Sequence, residues 1–217
     1  DVHADAVLTE LGAFGFRDQL QDAMALVHCQ PDLLREQLLL CAAHQFPQGD
    51  AQHWWHPPTN RGVRTHCSDD YLWLPLALQR YVHATGDLAI LHQEIGFIEG
   101  RALHAEEDSY YDLPTRAGIE ASLYQHGVLA IEHALQFGVH GLSLIGSCDW
   151  NDGMDQVGAK GQGESVWLSF FLYQVLQRFS GIANLMQDAP FAARCQSEAE
   201  TLRQSIFAHA WDGEWYR

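Results

Sequence analysis

The chain has 217 residues, of which 47% are hydrophobic and 18% charged, so it can bury a core and is too apolar to be disordered. Its 12 basic against 28 acidic residues give a net charge of −16, which argues against nucleic acid and anionic membranes as partners, because both present negative phosphates. Seven Trp and seven Tyr in so acidic a chain favour a neutral, hydroxyl-rich ligand such as a sugar.

Cysteine usage and the chain ends predict the setting of the protein. The cysteines, at positions 29, 41, 67, 148 and 195, are odd in number and never form a C-x-x-C pair, so reduced thiols in the cytoplasm are expected. The longest apolar stretch, residues 166–176, is too short to cross a bilayer, so no direct membrane contact is expected from this segment. Both ends interrupt a pattern, which predicts a single fragment, residues 1–217, whose partner is the remainder of its own longer chain.

Apolar residues recur with a helical period along most of the chain. Seven helices are predicted, at about residues 16–28, 31–46, 68–85, 88–98, 118–137, 164–179 and 189–210. Alternation typical of strands is scarce, so the predicted fold class is all-α, built from helical hairpins. Two connections, residues 47–67 and 139–163, are too long for ordinary turns and are predicted to carry function.

The first connection leads into QHWWHPPTNRGVRTHCSDDYLWLP, residues 52–75. Trp54 and Trp55 offer flat faces for stacking on a sugar. Arg64 with Asp69 and Asp70 offers a guanidinium and carboxylates for its hydroxyls. The alternative is structural: Ser68, Asp69 and Asp70 cap a helix, and Arg64 forms an ion pair with one of the two aspartates. The histidines and cysteine of this stretch lack a standard zinc spacing, so no metal site is predicted.

The second connection contains LIGSCDWNDGMDQVGAKGQGES, residues 144–165. Three aspartates lie close to Trp150 and Asn151, yet neither an EF-hand nor a phosphate-binding loop fits the spacing. A carboxyl group beside an indole is suited to general acid catalysis, because an apolar wall favours the protonated form. The alternative is a tight Asx-turn in which the aspartates accept local hydrogen bonds.

These two motifs resemble glycoside hydrolase family 94, which contains cellobiose and chitobiose phosphorylases and the phosphorylase region of cyclic β-1,2-glucan synthases. The HWWHPPT and DWNDGM segments are most similar to the glucan synthase branch. The stretches GFRDQLQD, TGD and AWDGEWYR are similar as well, so the resemblance covers essentially the whole chain. The chain departs from the family at Cys148 and Asn60, where glycine is usual.

The resemblance implies part of an (α/α)6 toroid and an inverting phosphorolysis, in which inorganic phosphate attacks the anomeric carbon while a carboxylic acid protonates the leaving oxygen. It implies that Asp152 is the general acid, with Trp150 and Asn151 beside it, and that Arg64 and Asp70 hold the glycosyl unit. The family's phosphate-binding residues lie downstream of this segment. No cofactor is expected besides phosphate as co-substrate.

The favoured hypothesis is a phosphorylase domain that acts on an oligo- or polysaccharide, with β-1,2-glucan chains as the expected substrate. Its expected location is the cytoplasm, or the cytoplasmic part of a larger membrane-bound synthase. One alternative is an inverting hydrolase on the same toroid, which needs a second carboxylate to activate water. The other is an inactive, carbohydrate-binding helical domain. Arg64 and Asp70 are predicted to meet in space near Trp150, with Asp149 in a structural role and Asp152 in the acid role.

Overall fold

The computed structural model describes residues 12–104 and 106–216. These residues form six α-helices and six β-strands. The helices are α1 (Phe16–Ala25), α2 (Pro31–Ala42), α3 (Trp73–Thr85), α4 (Leu123–Ala134), α5 (Val166–Leu185) and α6 (Ala189–Ser205). The strands are β1 (Phe14–Gly15), β2 (Gln52–His56), β3 (Arg61–Thr65), β4 (Glu94–Glu99), β5 (Ser109–Asp112) and β6 (Thr115–Ser122).

The predicted all-α class is therefore wrong, and with it the reading of the chain as seven helices of an incomplete (α/α)6 toroid. The connection predicted to be irregular contains the β2–β3 hairpin. The predicted fourth helix is a short 3₁₀ turn, Ala89–His92, followed by β4, and the first residues of the predicted fifth helix form β6. Strands β4 and β6 were missed because their residues are mostly half-buried or exposed, so their alternation of apolar and polar side chains is weak.

Helix positions were predicted more accurately than helix ends. Helix α5 continues through Ser180 and Gly181 to Leu185, because its buried face extends past this pair to Ile182 and Ala183. The last predicted helix is α6 followed by a turn of π-helix, Ile206–Ala210.

The six strands form two antiparallel sheets. One sheet has the order β1-β2-β3-β5, and the other pairs β4 with β6. Within β2 the register with β3 shifts between Gln52 and Trp54, which leaves His53 as the extra residue of a β-bulge. Bulges change the direction of a side chain and are frequent beside active sites.

The helices pack around one apolar core to which every helix contributes. Helices α5 and α6 pack against each other, and α3 contacts α1, α2, α4 and α5. The largest fully buried side chains include Phe16, Leu20, Leu34, Leu38, Trp55, Leu72, Leu74, Leu78 and Phe179. In the residues described, no helix combines the length and apolar content that a membrane crossing requires.

Candidate active site

Two segments far apart in the sequence lie side by side: the CSDD segment, residues 67–70, and the DWND loop, residues 148–155. The backbone N–H of Ser68 donates to the carbonyl of Cys148 at 2.9 Å. The hydroxyl of Ser68 donates to the carbonyl of Ile145 at 2.7 Å. These bonds bring the carboxylates of the two segments into one cluster.

Gly146 permits this close approach. Its φ of 65° lies in the left-handed region, and a Cβ atom at this position would overlap the carbonyl oxygen of His66. The same carbonyl accepts the N–H of Ser147 at 3.1 Å. Any larger residue at position 146 would separate the two segments.

Asp149 fixes the shape of the DWND loop. One carboxylate oxygen accepts the backbone and side-chain N–H groups of Asn151, at 2.8 and 3.0 Å. The other accepts the hydroxyl of Ser165 at 2.5 Å, and Ser165 is the N-cap of α5. The Asx-turn considered from the sequence is therefore present at Asp149, which is buried, while the side chain of Asp152 is 64% exposed.

Arg17 is the cation at the centre of the cluster. It is the second residue of α1, and the pairing of β1 with β2 places the start of this helix beside the hairpin. Its Nη2 donates to both carboxylate oxygens of Asp152, at 3.0 and 3.1 Å, and its Nη1 lies 3.4 Å from both oxygens of Asp69. Burial opposes the charge, but the carboxylates of Asp69, Asp70 and Asp152 outweigh it and raise the pKa of Arg17.

Asp69 lies in the interior of the cluster. Its side chain is fully buried and accepts the indole N–H of Trp73 at 2.9 Å. Burial and the neighbouring charge of Asp70 raise the pKa of Asp69 to about 6, although Arg17 acts in the opposite direction. Asp69 therefore supports the orientation of Arg17 and does not face solvent.

Asp70 contacts the histidine of the β-bulge. The Nδ1 of His53 lies 2.6 Å from Oδ2 of Asp70. Burial opposes the charged imidazole, but the carboxylate of Asp70 outweighs burial and raises the pKa of His53 to about 9. The second oxygen of Asp70, Oδ1, is buried and has no hydrogen-bond partner.

Arg64, which was expected to lie with Asp70, forms its ion pair with another carboxylate. Arg64 forms a two-pronged ion pair with Asp50, at 2.6 and 2.7 Å, and its Nη1 donates to the carbonyl of Arg101 at 2.8 Å. The guanidinium also lies 3.7 Å from the ring centre of Phe46. Arg64 therefore forms an ion pair, as the structural alternative expected, but its partner is Asp50 and not Asp69 or Asp70.

Arg64 and Asp50 line a cavity of about 780 Å³, together with Thr65, Ser68 and Tyr71. Cys67 and Ser68 of the CSDD segment line this cavity, whereas Asp70 and Asp152 are not among its lining residues. The chemistry of the carboxylates, and not the size of the cavity, therefore identifies the candidate site.

The aromatic residues divide between the core and the site. Trp55 is 1% exposed and stacks on His44 with ring centres 3.8 Å apart, so it is not a stacking platform. Trp150 is 49% exposed, and its ring centre lies 6.3 Å from that of Trp167, which is also partly exposed. These two indoles form an accessible apolar face next to Asp152.

A family model for the catalytic domain of the glycosyl hydrolase 94 superfamily matches residues 6–217. The chain belongs to this family. Known members align with nearly the whole chain. It is 44% identical over 208 residues to cyclic beta-(1,2)-glucan synthase NdvB of Rhizobium meliloti (strain 1021), covering 95% of this chain and 7% of that protein.

Other relatives are named as phosphorylases. Solabiose phosphorylase of Paenibacillus borealis is 29% identical over an alignment of 205 positions, which covers 93% of this chain and 24% of that enzyme. N,N'-diacetylchitobiose phosphorylase of Vibrio furnissii is 27% identical over an alignment of 230 positions including gaps, which covers 93% of this chain and 26% of that enzyme. The chain therefore spans a small part of each of these relatives.

Of the two departures from the family's usual glycine, only Asn60 has a backbone conformation that favours glycine. Asn60 has a φ of 62° in the β2–β3 turn, and asparagine adopts this conformation more readily than most residues. Among the described residues only Asn60 and Gln187 are non-glycine residues with positive φ, so Cys148 has an ordinary backbone.

Arg17 is the member of the cluster that the sequence analysis did not single out. Arg17 is the only lysine or arginine among residues 1–34, and it stands in the first turn of a helix, where the helix dipole disfavours a cation. A positive charge at such a place indicates a tertiary partner. That signal was available within the GFRDQLQD stretch that resembles the family.

Proposed function

We propose that this chain supplies the acid-bearing part of the active site of an inverting glycoside phosphorylase. Inorganic phosphate attacks the anomeric carbon, the glycosidic bond breaks, and Asp152 protonates the leaving oxygen, which releases a sugar 1-phosphate. Family membership and the phosphorylases among the relatives support the reaction class. The observation that carries the proposal is one exposed carboxylate, Asp152, held by Arg17 beside the buried carboxylates of the CSDD segment.

Asp152 has the accessibility that a general acid needs. It lies three residues after Asp149, whose bonds to Asn151 and Ser165 hold the loop, so the exposed carboxylate extends from a fixed turn. In the synthetic direction an ionised Asp152 would accept a proton from the acceptor sugar. In the phosphorolytic direction the protonated Asp152 exchanges its contact with Arg17 for the glycosidic oxygen.

Asp70 is proposed to hold the glycosyl unit. Its Oδ1 is a buried acceptor without a partner, and leaving such a group unpaired costs about 1–3 kcal/mol. A sugar hydroxyl would satisfy it, while His53 keeps the carboxylate in position through Oδ2. Trp150 and Asn151 are proposed to border the same subsite. Arg64 is bound to Asp50, so we assign it to the support of the neighbouring wall.

The similarity to a cyclic beta-(1,2)-glucan synthase supports β-1,2-linked glucan as the substrate. The phosphate-binding groups are proposed to come from the remainder of the longer chain, with phosphate as the only co-substrate. The cytoplasmic location remains a prediction from the cysteines and belongs to this proposal.

The test uses the full-length protein and β-1,2-linked gluco-oligosaccharides. We expect release of α-glucose 1-phosphate that depends on inorganic phosphate, followed by NMR of the anomeric proton. Asp152→Asn should reduce the rate of release by about 10²–10⁴-fold. Asp155→Asn, a change at an exposed residue of the same loop, should retain it. Release of free glucose at an equal rate without phosphate would establish a hydrolase, and sugar binding without turnover would establish a binding domain.

A further inference from the structure

Two thiols face each other inside the candidate site. Sγ of Cys67, in the CSDD segment, lies 2.9 Å from Sγ of Cys148, at the start of the DWND loop. Neither thiol has a role in the proposed reaction, and Cys148 stands where glycine is usual in the family. Their contact holds the pKa of Cys148 below its usual value and raises that of Cys67.

A carboxylate completes a set of three metal-binding groups. The two sulfur atoms and a carboxylate oxygen of Asp152 all lie within 4.8 Å of one another. A second set, formed by His53, Cys67 and Asp70, also lies within 4.8 Å and shares the sulfur of Cys67. Thiolate, imidazole and carboxylate are the protein ligands of Zn²⁺.

We propose that Cys67, Cys148 and Asp152 bind a thiophilic divalent cation, with Zn²⁺ as the representative ion. Two sulfur atoms bound tetrahedrally at about 2.3 Å from Zn²⁺ lie about 3.8 Å apart, so the pair must open by only about 0.9 Å. Sulfur ligands select Zn²⁺ and similar ions against Mg²⁺ and Ca²⁺. A water molecule or the neighbouring His53 takes the fourth position.

The charges around the site are compatible with a bound cation. Two thiolates and one carboxylate carry three negative charges, which Zn²⁺ and the adjacent guanidinium of Arg17 balance. Asp69 and Asp70 add further negative potential nearby. Binding releases the two thiol protons to solvent. Arg17 loses Asp152 as a partner and keeps Asp69.

Metal binding has a consequence for catalysis, which rests on the proposed role of Asp152. A carboxylate bound to Zn²⁺ cannot transfer a proton to the glycosidic oxygen. The site is therefore inhibitory, and turnover falls as the cation binds and recovers when a chelator removes it.

The first experiment does not depend on activity. The reduced, metal-free, full-length protein is titrated with Co²⁺, and the thiolate-to-cobalt charge-transfer absorption is recorded. Cys67→Ser and Cys148→Gly should each lose this absorption. Cys29→Ser, a change at an exposed cysteine outside the cluster, should keep it. An unchanged absorption in Cys148→Gly overturns the proposed site. Absence of the absorption from the wild type also overturns it, whether the two thiols are free or are found to have formed a disulfide.

The second experiment measures turnover against Zn²⁺ concentration. Cys148→Gly should keep the basal rate and need at least about tenfold more Zn²⁺ for half inhibition, because one ligand is gone. Equal inhibition of this variant and the wild type overturns the inhibitory role. If the cobalt absorption depends on Cys148 while no phosphorolysis occurs with any glucan, the metal site stands and the proposed function fails.

Discussion

Nη2 of Arg17 donates to both carboxylate oxygens of Asp152, at 3.0 and 3.1 Å, across 135 residues of sequence. The same guanidinium contacts Asp69 through its other nitrogen, so one planar group joins the buried and the exposed part of the cluster. The position of the proposed general acid therefore depends on a residue at the start of α1.

This dependence predicts coupling between Arg17 and Asp152. Arg17→Lys keeps the charge but cannot span Asp69 and Asp152 together, so kcat/KM should fall. The double variant Arg17→Lys/Asp152→Asn should lose less transition-state stabilisation than the two single variants together, by about 0.5–3 kcal/mol. The measurement is a double-mutant cycle of kcat/KM in the full-length protein. Strictly additive losses would show that the ion pair does not position the acid.

Asp152 and Asp149 should respond to substitution in opposite ways. Asp152→Asn should reduce turnover of unactivated glycosides by about 10²–10⁴-fold, because general acid catalysis is lost, with little change in Tm. The loss should be smaller for substrates whose leaving group needs no proton. Asp149→Ala should lower the free energy of unfolding by about 1–3 kcal/mol, because Asn151 and Ser165 lose their acceptor. The reverse pattern would exchange the two roles.

The ion pair of Arg64 and Asp50 should be a source of stability. Both side chains are buried, so Arg64→Met leaves a buried carboxylate unpaired and should cost about 3–5 kcal/mol in urea unfolding. The matched control is Arg101→Met, which breaks the exposed pair with Glu107 and should change the urea midpoint far less than Arg64→Met does. If Arg64→Met is stable but loses substrate affinity, the role implied by the family resemblance is correct.

His53 should make the protein less stable as the pH rises. The pKa of His53 is raised to about 9 in the folded state, against the usual 6.5. The protonated imidazole therefore adds its full share to the free energy of unfolding below pH 6.5, and this share is lost as the pH rises towards 9. His53→Gln should remove this slope from urea unfolding measured across that range. His44→Gln should not, because burial lowers the pKa of His44 and its effect lies below pH 6.5. A slope that persists in His53→Gln would contradict the assignment.

Trp150 should contribute to substrate binding and little to stability. It is half exposed, so Trp150→Ala should leave Tm nearly unchanged. Loss of its face should raise KM by about 2- to 10-fold, which corresponds to about 0.5–1.5 kcal/mol of aromatic contact. Trp215→Ala, at another exposed indole, is the control and should not change KM. An effect on Tm alone would assign Trp150 to folding.

The sequence predicted the parts of the molecule that depend on local patterns. The helices were found because their buried residues recur with a helical period, and Asp149 was assigned a structural role because Asx-turns are local. The hairpin was missed because HWWH has no alternation of apolar and polar residues: Trp55 faces the core, while Trp54 packs against His56 and Tyr111 on the other side.

Long-range partners lie outside any local pattern. The family resemblance placed Arg64 and Asp70 in one subsite, but β3 directs Arg64 towards Asp50, and the bulge in β2 directs His53 towards Asp70. Register and bulge arise from pairing across the sheet, which the order of residues alone does not specify.

The contact between the CSDD segment and the DWND loop has an evolutionary consequence. Ser68 donates its backbone N–H to Cys148, and Gly146 leaves no room for a side chain against His66. An insertion in either segment would therefore displace the other, so their lengths should be inherited together. Substitutions at positions 67 and 148 should likewise covary among relatives, because each side chain fills the space that the other leaves.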